Sequence, residues 1–192
     1  PGVKAKGGGR EAGVRYADYA IGKFFDKLQT KPWYSNTLLV IAGDHGPRVY
    51  GRSQIPLSNY PVPFIVHSPG NVTTGRNNTL SSQVDIGPTL LGLLHLNYTS
   101  CLPGRDILRI VPGDGYALFN HNRNVAMMRD QQVAVLGFGK QVTTSIYDAE
   151  SEDLVTTATN RELERDTQAL FQLSWEFFRD GRQREDHCRA RA

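Results

Sequence analysis

The chain is poor in several things that would settle its class at once. It has only two cysteines in 192 residues, Cys101 and Cys188, which excludes a disulfide-stapled scaffold and a zinc ribbon. No apolar run approaches the roughly 18 residues that span a bilayer, and the opening PGVKAKGGGR has no hydrophobic signal core. Gly7–Gly9 are followed by no GK[ST] and preceded by no strand pattern, so a phosphate loop is not expected. The excess of basic charge is small, 22 Lys+Arg against 19 Asp+Glu. Arg182, Arg184, Arg189 and Arg191 crowd the end of the chain with no aromatic interleaved to stack a base. They read as a solvated tail, and nucleic acid is not expected as a partner.

What remains is an ordinary globular composition, 39% hydrophobic and 21% charged. Residues 1–9 read as a flexible leader. From Glu11 to Thr30, Val14, Ala17, Ile21, Phe24 and Leu28 recur at helical steps, until Lys31-Pro32 ends the pattern. Thr37–Ala42 is a continuous branched apolar run, the signature of a strand buried on both faces, so a parallel sheet is expected. Residues 43–61 lack periodicity and read as a long loop of the kind that carries function. Val62–Val66 gives a second strand, and Asp85 stands where a helix N-cap would precede Leu90, Leu91, Leu94 and Leu96. Four short strands are expected at Tyr116–Asn120, Val125–Met128, Gln132–Leu136 and Gln141–Tyr147, with Phe138-Gly139-Lys140 at a hairpin, then a helix over 160–180. The fold class is α/β: helices on a mostly parallel sheet, then an antiparallel meander and a closing helix. Residues 10–115 and 116–182 are read as two parts of one domain, and 183–192 as a basic tail.

The chemistry concentrates at Gly43-Asp44-His45-Gly46, directly after the first strand. Inside a strand, adjacent side chains point to opposite faces. Beyond its end, flanking glycines let the backbone turn so that carboxylate and imidazole face one ion. An Asp oxygen with a neutral His nitrogen suits Mn²⁺ or Zn²⁺ better than Ca²⁺. The plainer alternative is a loop Asp capping a backbone N–H beside a surface His. Arg48, and less so Arg52, could neutralise a phosphate or sulfate oxygen, although loop arginines are commonly just solvated. His67 reads as a core or edge histidine and His121 as part of a polar turn. Asn71-Val-Thr, Asn77-Asn-Thr and Asn97-Tyr-Thr are glycosylation sequons by pattern.

Four segments in order carry a resemblance. Tyr16–Phe25 with Trp33–Gly46, Val62–Gly70, Ser82–Leu94 (SQVDIGPTLLGLL) and Gly104–Leu108 resemble the C-terminal half of sulfatase-like enzymes of the alkaline phosphatase superfamily. They are most like the lipoteichoic acid synthase and phosphoglycerol transferase branch. The resemblance implies that Asp44 and His45 bind a catalytic divalent ion, Mn²⁺ in the first instance and Zn²⁺ as the alternative. It implies transfer from a phosphoglycerol- or lipid-linked phosphodiester through a covalent intermediate on a Thr or Ser. That nucleophile belongs to the half of the family's domain that precedes the DHG loop, and neither Thr30 nor Thr37 replaces it. The chain is therefore expected to be a C-terminal fragment with its partner half upstream and no catalytic nucleophile of its own. A membrane anchor in that upstream part would hold the enzyme on the extracytoplasmic face. A sulfatase-type ester hydrolase and a non-catalytic binding or scaffold relative are the alternatives.

Overall fold

The computed structural model describes residues 8–46, 54–99 and 103–182. These residues divide into two compact units, one of the described residues up to 42 with 63–74 and the other of the described residues of 43–62 and from 75 on.

In the first unit, α1 (Gly9–Leu28) precedes β1 (Leu39–Ala42) and β2 (Phe64–His67). The expected helix is present, but of its apolar stripe only Leu28 is buried, and Val14, Ile21 and Phe24 stay exposed. The inward contact is made instead by Phe25. Its ring lies edge-on to Tyr34 and to His67, whose Nε2 sits 2.7 Å from the Tyr34 hydroxyl. His67 is thus the packing histidine that its position suggested. Ser68 Oγ donates to the Thr37 carbonyl at 2.8 Å and closes the far end of the strand pair.

The pairing direction departs from expectation. β1 and β2 run antiparallel, Leu39 opposite His67 and Ala42 opposite Phe64, and no parallel pair occurs among the described residues. An unbroken apolar run reports burial on two faces, not the direction of the neighbour. Here the strands are only partly buried, and Ile65 is exposed.

The second unit is built on a five-stranded antiparallel meander: β3 (Tyr116–His121), β4 (Asn124–Arg129), β5 (Gln132–Leu136), β6 (Val142–Asp148) and β7 (Asp153–Thr156). The first four match the expected strands to within two residues at each end, and β7 is an addition. Gly139, with φ 71°, turns the chain between β5 and β6. β5 is buried on both faces by the period-two alternation of its side chains. Val133 and Val135 join a core with Ile55, Leu57 and Ala126, whereas Ala134 joins Met127 and Leu163 of α3 (Arg161–Arg179). Ile55 is fully buried. The later part of the expected long loop therefore supplies core side chains, each such burial contributing about 1.5–3 kcal/mol.

Asn160 caps α3 by accepting from the Leu163 N–H at 3.0 Å, and Thr144 donates to Glu164 at 2.8 Å, tying the helix to β6. Arg129 of β4 pairs with Asp166 at 3.0 Å. α2 (Ile86–Leu93) is preceded by a 3-10 turn at Gln83–Asp85. Asp85 holds the expected N-cap position of α2 but makes no side-chain cap bond to it, and Ser82 is the N-cap of the 3-10 turn. Asp85 takes the complementary place in a capping box, its Oδ2 accepting from the Ser82 N–H at 3.0 Å. No helix among the described residues is long and apolar enough to cross a membrane.

Candidate functional site

Asp44 and His45 fall in the second unit, on the loop that opens with Gly43. Two features shape that loop. Gly46 packs directly against the backbone at Asn59, where a Cβ would collide with the Asn59 carbonyl. Only glycine permits that approach. On the other side, Gln83 reaches the loop from the 3-10 turn. Its side-chain amide donates to the Gly43 carbonyl at 2.8 Å and to the Asp44 carbonyl at 2.9 Å.

Within this frame the two side chains are oriented by their own backbone. Asp44 Oδ1 accepts the His45 N–H at 2.9 Å, the capping role of the plainer alternative. The other oxygen stays available. Asp44 Oδ2 lies 3.6 Å from His45 Nε2, and both side chains are largely solvent-facing. His45 Nδ1 is 2.8 Å from the Gly46 carbonyl, so in the neutral ring Nδ1 carries the proton and Nε2 keeps its lone pair. A metal-binding histidine is commonly oriented in this way, its second nitrogen held by a carbonyl.

A carboxylate oxygen and an imidazole nitrogen are donor types that can hold a divalent ion. At 3.6 Å the two atoms are near enough that one ion could be held by both. Among the described residues no cluster of three or more His, Cys, Asp or Glu forms, so these two can supply only part of a coordination sphere.

The other sequence candidates separate from this pair. Arg48 and Arg52 lie outside the described residues. Asp85 is buried and committed to Ser82 and Arg105, while His121 ends β3. Gln83 was not singled out from the sequence. Its signal is faint, a polar residue one place into a capped turn, and only the fold brings it to the loop.

Known proteins resemble parts of this chain. Residues 10–96 match the sulfatase family model. The lipoteichoic acid synthase-like protein YvgJ of Bacillus subtilis is 36% identical over 98 residues, covering 42% of this chain and 16% of that protein. An arylsulfatase of Clostridium perfringens is 27% identical over 107 residues, covering 51% of this chain and 22% of the enzyme. The chain thus spans less than a quarter of the length of either relative. A solved structure of an alkaline phosphatase superfamily protein from Vibrio parahaemolyticus superposes with a TM-score of 0.86 at 23% identity, over 96% of this chain and 47% of that one. Residues 10–96 are thus similar to the sulfatase family, and nearly the whole chain shares its fold with the alkaline phosphatase superfamily protein from Vibrio parahaemolyticus.

Proposed function

We propose that this chain is the C-terminal part of a metal-dependent phosphodiester transferase, one that moves a phosphoglycerol group from a lipid-linked donor. The observation that carries the reading is the paired presentation of Asp44 Oδ2 and His45 Nε2, 3.6 Å apart, with the imidazole proton held on the opposite nitrogen by Gly46. A carboxylate with an imidazole favours Mn²⁺ or Zn²⁺ over the oxygen-only sphere of Ca²⁺. The relatives of the lipoteichoic acid synthase kind support transfer over hydrolysis.

In this reading Asp44 and His45 hold the ion, which when bound would act as a Lewis acid toward a phosphoryl oxygen. Gly46 lets the loop sit flush on the backbone at Asn59 and so keeps His45 beside Asp44. The covalent nucleophile, the remaining ligands and a membrane anchor come from parts of the protein other than these residues. The enzyme works on the extracytoplasmic face, and this piece alone is inactive.

A second reading, sulfate-ester hydrolysis, is favoured by the arylsulfatase relative. One experiment separates the two. The complete protein is assayed with Mn²⁺ on phosphatidylglycerol and on an aryl sulfate, beside Asp44→Asn and His45→Ala. Glycerophosphate transfer lost in both variants supports the proposal. Turnover of the sulfate alone replaces it with the hydrolase. Wild-type Mn²⁺ affinity and activity in Asp44→Asn would remove the site assignment, and no metal uptake by the wild type would favour a binding module.

A further inference from the structure

We infer that Gln83 is a positioning residue for the Asp44–His45 pair, acting on the backbone of the loop; the inference rests on the metal-site reading above. An amide nitrogen carries two protons, and Gln83 Nε2 spends them on two successive carbonyls, Gly43 at 2.8 Å and Asp44 at 2.9 Å. One donor group therefore fixes the orientation of the peptide units on both sides of the Asp44 Cα. The direction of the Asp44 side chain follows from that Cα geometry.

Gln83 is itself held from behind. The residues on either side of it in the turn are anchored: Ser82 Oγ accepts from the Leu118 N–H of β3 at 2.8 Å, and Asp85 accepts from Ser82 at 3.0 Å. Asp85 also accepts from the Arg105 N–H at 2.7 Å and from the Arg105 guanidinium at 3.2 Å. The 3-10 turn is therefore stapled to the sheet and to the segment after Gly104, where a Cβ would strike the Val84 carbonyl. A rigid platform ends in one side chain, and that side chain holds the loop. The hydrogen bonds of the Gln83 side chain go to carbonyls and not to the donor atoms Asp44 Oδ2 or His45 Nε2, so its influence passes through main-chain geometry.

The test uses the complete protein and Mn²⁺ alone as probe, with affinity read by titration calorimetry and melting temperature read without metal. Gln83→Met keeps length and removes both donors. It should weaken Mn²⁺ binding roughly ten-fold, the lower end of what outer-shell partners contribute, and move the metal-free melting temperature by no more than about 3 °C. Gln83→Glu keeps volume and offers only acceptors to two carbonyls, so it should weaken binding at least as much, and it carries the test if Gln83→Met does not fold. Wild-type affinity in both Gln83 variants, with binding lost in Asp44→Asn, overturns this inference and leaves the metal site standing. Wild-type affinity in Asp44→Asn overturns both. A matching collapse of metal-free stability in the Gln83 variants marks a folding role and also overturns the inference.

Discussion

Asp85 and Arg105 are bound to each other twice, the Asp85 carboxylate accepting from the Arg105 backbone N–H at 2.7 Å and from its guanidinium at 3.2 Å. Asp85 is buried, and the guanidinium lies 3.5 Å over the Tyr116 ring while donating to the Tyr116 and Asp114 carbonyls. A desolvated carboxylate is tolerated only where its lone pairs are filled. Here three donors do so, the third being the Ser82 N–H.

Removing that carboxylate takes the counter-charge from the cation. Asp85→Ala leaves the Arg105 N–H and the Ser82 N–H without the carboxylate they donate to and the Arg105 guanidinium with only the Tyr116 and Asp114 carbonyls, and breaking a buried pair from one side costs about 3 kcal/mol. Asp85→Asn should cost less, because an amide oxygen can still accept. Urea unfolding of wild type and both variants checks the order, and equal stability of all three would contradict it.

The loop glycine should be as intolerant as the buried pair, for a different reason. Gly46→Ala places a methyl group on the Asn59 carbonyl, with backbone on both sides of the clash. The loop must shift, and His45 with it, since its Nδ1 is held by the Gly46 carbonyl. A displacement of about 1 Å can cost on the order of 100-fold in rate. Assay of the complete protein for the proposed glycerophosphate transfer, together with Mn²⁺ titration, should show rate and affinity falling while the fold persists. Alanine with wild-type values for both would mean that the loop does not set the site.

The parts of this fold that were legible in the sequence are those written in side-chain period. β5 announces itself by apolar residues at 133–136, and α3 by its spaced leucines and aromatics. β7 does not, because Leu154 and Val155 are its only apolar residues and polar ones flank them. The direction of β1 against β2 was not legible either, since branched apolar residues serve both kinds of ladder equally. Asp44 and His45 stood out through chemistry, two donor types between two glycines. Gln83 did not, because its partners are main-chain carbonyls 40 and 39 residues away, which any residue type could present. For the same reason the bonds of Asp85 were not legible: it stands at the N-cap position of α2, but its carboxylate serves the 3-10 turn that Ser82 begins. The spacing S-x-x-D carries both halves of a capping box, and the geometry of the turn decides which residue leads.

A stabilising change follows from the end of α2. His95 N–H donates to the Gly92 carbonyl and Leu96 N–H to the Leu91 carbonyl, the paired bonds that close a helix through a left-handed residue. That residue is His95, with φ 54°. A side chain there costs about 1 kcal/mol relative to glycine, partly offset by glycine's freedom in the unfolded chain. His95→Gly should therefore raise stability by about 0.5 kcal/mol, seen as a higher urea midpoint with an unchanged slope. A lower midpoint would show that the imidazole makes a contact worth more than the strain.

The turn between β6 and β7 should respond to acid. The Asp148 carboxylate accepts from the Ser151 hydroxyl at 2.7 Å and from the Glu150 N–H at 3.0 Å. Those bonds favour the ionised form and hold Asp148 below the usual carboxylate range, Ser151 being the larger cause. A folded-state value below the unfolded one means that the contribution to stability is present above the unfolded value. It is lost as pH falls through the folded one. Ser151→Ala should move the Asp148 titration upward, toward the ordinary carboxylate value, in carboxyl-carbon NMR. The turn amides of residues 149–152 should then lose hydrogen-exchange protection at a higher pH than in wild type. An Asp148 titration that does not move in Ser151→Ala would assign the depression to the backbone bond at Glu150 instead.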